Sequence, residues 1–134
     1  MNISCFDDLL AAAREQTDPQ RLLFVFAGAE LADDSTPEQR ERFEAGEGGA
    51  LVPVMSVDKS PDDIVDFQAL MQESLQFDKP WVLVFVAALS GRNGVPAAAA
   101  DVDQALARMT DAIRSGSMSA FIPFDREGKT VQFS

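Results

Sequence analysis

Two stretches of this 134-residue chain limit its fold more than any other feature: Leu22-Leu23-Phe24-Val25-Phe26-Ala27 and Trp81-Val82-Leu83-Val84-Phe85-Val86-Ala87. Neither alternates. A strand with one wet face reads apolar and polar in turn, because successive side chains point to opposite faces. Unbroken runs rich in β-branched and aromatic residues therefore belong to strands covered on both sides. Covering both faces of a sheet takes a layer of helices on each.

The segments between these runs supply the helices. Ser4 with Asp7, Thr36 with Gln39, and Ser60 with Asp63 each set a hydroxyl cap three residues before an acid or amide that can reach back to it. Pro37 and Pro61 stand at first helical positions, where a missing N–H costs nothing, and Glu38, Asp62 and Asp63 complement the dipole. Apolar residues then recur at helical spacing: Phe6, Leu9, Leu10 and Ala13 in the first helix, and Ile64, Phe67, Met71 and Leu75 in the third. A fourth, from about Ala98 to Ser115, carries Val102, Leu106, Met109 and Ile113 and is stopped by Gly116. The second, Pro37 to Ala45, is mostly charged, with Phe43 as its one anchor.

Two further strands carry a proline: Ala50 to Val57 with Pro53, and Ala120 to Phe124 with Pro123. A proline removes a ladder donor, which places both at sheet edges or bulges. Thr130-Val131-Gln132-Phe133 follows the turn-like Asp125-Arg126-Glu127-Gly128 and reads as the return arm of a hairpin. The order α-β-α-β-α-β-α-β-β predicts an α/β fold, with α+β as the alternative. It is a single layered domain over residues 1–134, with a four- or five-stranded mixed β-sheet, at least partly parallel, flanked by about four helices and closed by a C-terminal β-hairpin. One core suffices at this length. The direction of the second strand relative to the first depends on the second helix and stays open.

Charge bears on partners. Twenty-two Asp and Glu against eleven Lys and Arg give a formal net charge of −11. Such a surface repels phosphate backbones and anionic membranes, so no nucleic acid and no membrane is expected as a partner, and a basic protein is. A single cysteine, Cys5, rules out an intrachain disulfide and suits a reducing compartment. The start of the chain has no basic or apolar leader region, and the run from Trp81 to Leu89 falls short of the ~20 residues that span a bilayer. These features predict a cytoplasmic protein.

Chemistry is constrained by what is missing. With no histidine and no tyrosine, Ser-His-Asp, Cys-His and imidazole–metal sites are excluded, and one cysteine excludes thioredoxin-type exchange. Gly46-Glu47-Gly48-Gly49 lacks the Lys and Ser/Thr of a phosphate-binding loop and reads as an entry into the second strand. Ser90-Gly91-Arg92-Asn93-Gly94 follows a buried strand, where open α/β sheets bind ligands. Arg92 there suits a carboxylate or phosphate, with Ser90 and Asn93 as hydrogen-bonding partners; the alternative is a plain turn built on Asn-Gly. If the two apolar strands are parallel neighbours, Glu30, Asp33 and Asp34 flank the same crevice, and paired carboxylates can hold Mg²⁺. The alternative for these is a solvated loop before Thr36. No cofactor and no catalytic residue is assigned.

The segments Leu22 to Leu31, Val84 to Gly91 and Phe121 to Asp125 give the chain, nearly end to end, a resemblance to a family. It resembles short uncharacterised proteobacterial proteins of the Burkholderia and Pseudomonas type, often labelled "ribonucleotide reductase subunit alpha". Reductase catalysis needs a set of cysteines that this chain lacks, so the resemblance implies an accessory protein at most. Ala50 to Val57 followed by Asp62 to Leu70 is similar to the SseB-like enhancer proteins of secretion systems and implies an interaction module. The expectation is a non-catalytic, acidic interaction or accessory protein of unknown oligomeric state. The alternatives are a small anionic-ligand or Mg²⁺-dependent site around Arg92, and a DNA mimic.

Overall fold

The structure, a computed structural model, describes residues 3–30, 36–44, 50–77, 80–117 and 120–131. The Gly46–Gly49 stretch, Asp33, Asp34, Gln132 and Phe133 lie outside the described residues. Four strands, β1 (Gln20–Glu30), β2 (Ala50–Lys59), β3 (Leu83–Ser90) and β4 (Ile122–Phe124), form one sheet in the order β2-β1-β3-β4. The helices are α1 (Phe6–Arg14), α2 (Pro37–Glu44), α3 (Phe67–Ser74) and α4 (Ala99–Ser115), with 3₁₀ turns at Pro61–Asp63 and Leu75–Phe77.

The two apolar runs are the two inner strands, β1 and β3. Leu22, Phe24 and Phe26 of β1, with Val84 and Val86 of β3, pack against α1 and α3, where Phe6, Leu10, Phe67 and Leu70 are buried. Leu23, Val25 and Ala27, with Phe85, face the other way, onto Val102, Met109 and Ile113 of α4. Both faces are covered, as an unbroken apolar run demands. The prolines fall where a lost donor costs least. Pro53 lies on the outer strand β2, at a break in register between Phe26 and Ala27, and Pro123 lies on β4.

The sheet is antiparallel throughout: all three pairings among the named strands run that way. The expectation of a mixed, partly parallel sheet is corrected here, and the reason is topological. β2 and β3 do run in the same direction, joined through α3, but β1 lies between them. The crossover exists, and the parallel ladder it usually makes does not. The fold is therefore α+β, with a single four-stranded sheet.

Local signals hold to within a residue or two. Thr36 Oγ1 accepts from the Gln39 N–H (3.2 Å) while Gln39 Oε1 accepts from the Thr36 N–H (2.9 Å), a complete capping box. At α1 the frame slips by one. Cys5, not Ser4, precedes the helix, because strand-like bonding persists through residue 5: Cys5 bridges Lys129, and the Phe6 N–H donates to the Gly128 carbonyl at 2.7 Å. Asp8, not Asp7, then accepts from both the N–H (3.1 Å) and the hydroxyl (3.0 Å) of Ser4. The third helix splits. Ser60 caps the Pro61–Asp63 turn, and Asp66 starts α3 by accepting from the Ala69 N–H at 2.9 Å. α4 ends at Gly116, whose φ of 80° is left-handed.

The C-terminal hairpin turns on Asp125, whose Oδ1 accepts from the N–H groups of Glu127 (2.8 Å) and Lys129 (3.1 Å). Phe124 bridges Thr130, and the Val131 N–H donates to the Pro123 carbonyl, so the outer side of β4 is occupied by the chain itself. Phe124 is fully buried, and Phe121 and Ile122 pack onto the cores. Trp81 is likewise buried, its Nε1–H donating to Ser74 Oγ at 3.0 Å.

Phe6 joins these parts: its ring centroid lies 5.9 Å from Phe24, 5.4 Å from Phe67 and 5.6 Å from Phe124, linking α1, β1, α3 and β4. Phe6→Ala is expected to cost about 3–5 kcal/mol in urea unfolding, as buried aromatic truncations do. The bonds from Ser4 hold the Asp8 carboxyl below its ordinary value of 3.8. A carboxyl depressed in the folded state adds stability above the unfolded pKa and loses it as pH falls. The advantage of the wild type over Asp8→Ala should therefore be present at neutral pH and close as pH drops below 3.8, read by thermal unfolding across an acid series.

Candidate functional site

The chain after β3 is a tight turn. The Arg92 N–H donates to the Val95 carbonyl and the Val95 N–H to the Arg92 carbonyl, each at 2.9 Å. Between them Asn93 (φ 52°) and Gly94 (φ 78°) take the left-handed conformations that a two-residue hairpin turn of this hand requires, and that Asn-Gly adopts most readily. Gly91 is buried, and a Cβ there would stand 2.0 Å from the Val95 carbonyl oxygen, so no larger residue fits.

This turn is tied to the segment that enters β1. The Gly91 N–H donates to the Pro19 carbonyl (2.8 Å), Gln20 Nε2 to Ser90 Oγ (3.0 Å), and the Gly94 N–H to Asp18 Oδ1 (3.2 Å). Ser90 Oγ in turn donates to the Gly91 carbonyl at 3.1 Å. Its hydroxyl is thus spent on the loop's own architecture, where the sequence suggested a ligand contact.

Against the turn lies a hollow of about 500 Å³. It is lined by Ser90, Gly91, Arg92 and Val95 of the turn, by Pro96 to Ala98 after it, and by Asp101 and Arg108 of α4. Asp101 and Arg108 are two helical turns apart and so share one flank of α4. The helix begins at this hollow without a side-chain cap, since Ala98 has none to offer. Among the described residues neither Arg92 nor Arg108 makes an ion pair, and both are exposed.

Of the residues singled out in the sequence, Ser90, Gly91 and Arg92 line the hollow, and Asn93 stands outside it at the exposed tip of the turn. Asp33 and Asp34 lie outside the described residues. The condition for their sharing a crevice with Arg92, parallel β1 and β3, is not met. β1 pairs antiparallel with β3, Gln20 opposite Ser90, so Glu30 ends β1 at the far end of the sheet, roughly 30 Å of extended chain away. Among the described residues no group of three or more acids and cysteines is placed to hold a metal ion, and no helix is long and apolar enough to cross a membrane. Cys5 is half-buried and unpaired with another cysteine. Arg108 is the residue that sequence reasoning missed. Its spacing from Asp101 was readable, but which loop that flank faces is set by the packing of α4 on the sheet.

The turn is testable apart from any ligand. Gly91→Ala must displace the Val95 carbonyl and should lower stability by more than Gly94→Ala. A Cβ at Gly94 meets nothing within 4 Å, so that variant carries only the left-handed φ cost of about 1–2 kcal/mol. Urea unfolding of the two variants gives the ranking.

No protein-family model, curated protein or solved structure matches this chain.

Proposed function

We propose that the protein is a non-catalytic binding module whose site is the hollow between the Arg92–Val95 turn and α4, and whose ligand is a small anion carrying a carboxylate or phosphate. One observation carries this reading. In a chain with twice as many acids as bases, two guanidiniums line the same hollow and neither is paired among the described residues. Four other cations are engaged: Arg14 donates to the Pro61 and Ile64 carbonyls, Arg21 pairs with Asp58 at 2.6 Å, Lys59 with Glu73 at 2.9 Å, and Arg126 stands over the Trp81 ring; Arg114, with no ion pair among the described residues, does not line the hollow.

Guanidinium groups present planar forks of donors that match carboxylate and phosphate oxygens. The uncapped start of α4 adds N–H groups at its positive end. Asp101 opposes both, and leaves the lining as a whole with a modest net positive charge. The volume suits a metabolite-sized ligand.

A second reading rests on charge alone. Among the side chains whose burial is described, no carboxylate is buried, so their acidity lies at the surface, fitted to a basic protein partner. Such binding weakens with added salt, and an affinity indifferent to ionic strength would remove this reading.

The site is tested by titrating ¹⁵N-labelled protein with inorganic phosphate. Amide shifts should appear across residues 91–101, and Arg92→Ala and Arg108→Ala should each weaken binding by roughly tenfold or more, as hydrogen bonds between charged groups do, with their spectra otherwise folded. Shifts confined to other regions, or unchanged affinity in both variants, would overturn the proposal.

A further inference from the structure

We infer that Asp18 is a positioning residue for this site, one that acts on an anion by holding the turn that carries Arg92. The inference rests on the anion-binding reading above. Asp18 lies far from the turn in sequence, yet its Oδ1 accepts from the Gly94 N–H at 3.2 Å, across a separation of 76 residues. Asp18 is half-buried. The turn projects from the end of β3, and its outer half, Asn93 and Gly94, is built of two consecutive left-handed residues. Inside the turn, the two mutual bonds of Arg92 and Val95 fix its shape but not its tilt against the sheet. The Pro19 carbonyl and the Gln20 amide hold its base, at Gly91 and Ser90. Among the described residues, Asp18 is the one side chain hydrogen-bonded to its tip.

A carboxylate is an odd choice beside a site for anions, and that gives the inference its discriminating power. By Coulomb's law alone, removing the Asp18 charge should tighten anion binding. If Asp18 acts by positioning, Asp18→Ala should instead weaken binding, because the freed turn no longer presents Arg92 to the hollow. Asp18→Asn keeps an oxygen acceptor for the Gly94 N–H and drops the charge. It should bind at least as well as the wild type.

Phosphate titration of the wild type, Asp18→Ala, Asp18→Asn, Arg92→Ala and the Asp18→Ala/Arg92→Ala double variant decides the matter. Asp18→Ala is expected to weaken binding by roughly fivefold, the worth of one net hydrogen bond. Asp18→Asn should restore binding, and Asp18→Ala should add no further loss once Arg92 is gone. Hydrogen exchange at the Gly94 amide should be slow in the wild type and Asp18→Asn and fast in Asp18→Ala. Undiminished binding in Asp18→Ala, or an equal further loss in the Arg92→Ala background, would overturn this inference alone. A wild type that binds no phosphate would overturn the anion reading and this inference with it.

Discussion

The antiparallel pairing of β1 with β3 governs most of what this molecule can do. It joins the two strands that have no polar face, and each is left with two apolar sides that only helix layers can cover. It also sets the geography of the surface. With Gln20 opposite Ser90, the entry to β1 and the exit from β3 lie side by side, and three hydrogen bonds between Asp18–Gln20 and Ser90–Gly94 follow from that adjacency. Had the same two strands paired in parallel, the exit of β3 would have met the exit of β1. The acidic stretch after Glu30 would then have been its neighbour. That choice of strand direction thus decides whether the Arg92 turn neighbours the exit of β1 or its entry.

Electrostatics gives that geography its weight. A protein of net charge −11 repels small anions at long range, so a site for one must rely on short contacts. Those contacts are what the hollow offers: two guanidiniums lining one concavity, with Asp101 in the same lining. The long-range field and the local site act in opposite directions. Added salt screens the repulsion and the attraction together, so affinity at such a site should depend on ionic strength less than affinity for a basic protein would.

Much of this fold was legible because it follows from periodicity and capping chemistry, which are local. The buried strands read from Leu22 to Ala27 and from Trp81 to Ala87 (the second starting at Leu83, with Val82 exposed before it), the capping box of Thr36 and Gln39, the stop at Gly116 and the edge positions of Pro53 and Pro123 all rest on a few adjacent residues. What escaped was non-local. The α1 cap slipped from Ser4 to Cys5 because Gly128 and Lys129, at the other end of the chain, bond to that segment. A partly parallel sheet was implied by alternation, but nothing in β2 or β3, which run the same way, says that β1 inserts between them. The candidate site divides in the same way. Gly91, Arg92 and the Asn-Gly turn were visible as a loop motif; Arg108 reaches the hollow, and Asp18 the turn, only through tertiary packing.

The two readings of the Ser90–Gly94 stretch, a plain turn or a ligand loop, prove to be compatible. Its glycines and its asparagine are fully accounted for by backbone geometry: Gly91 by the Val95 carbonyl, Asn93 and Gly94 by their positive φ. Arg92 is not. A hairpin turn of this kind makes no demand on the side chain at its first position, and Arg92 forms no ion pair among the described residues. A rigid turn with one unconstrained charged side chain beside a concave surface lowers the entropy that ordering the site would otherwise cost on binding. The rigidity that makes the segment a good turn is therefore the same property that would make Arg92 an effective anchor.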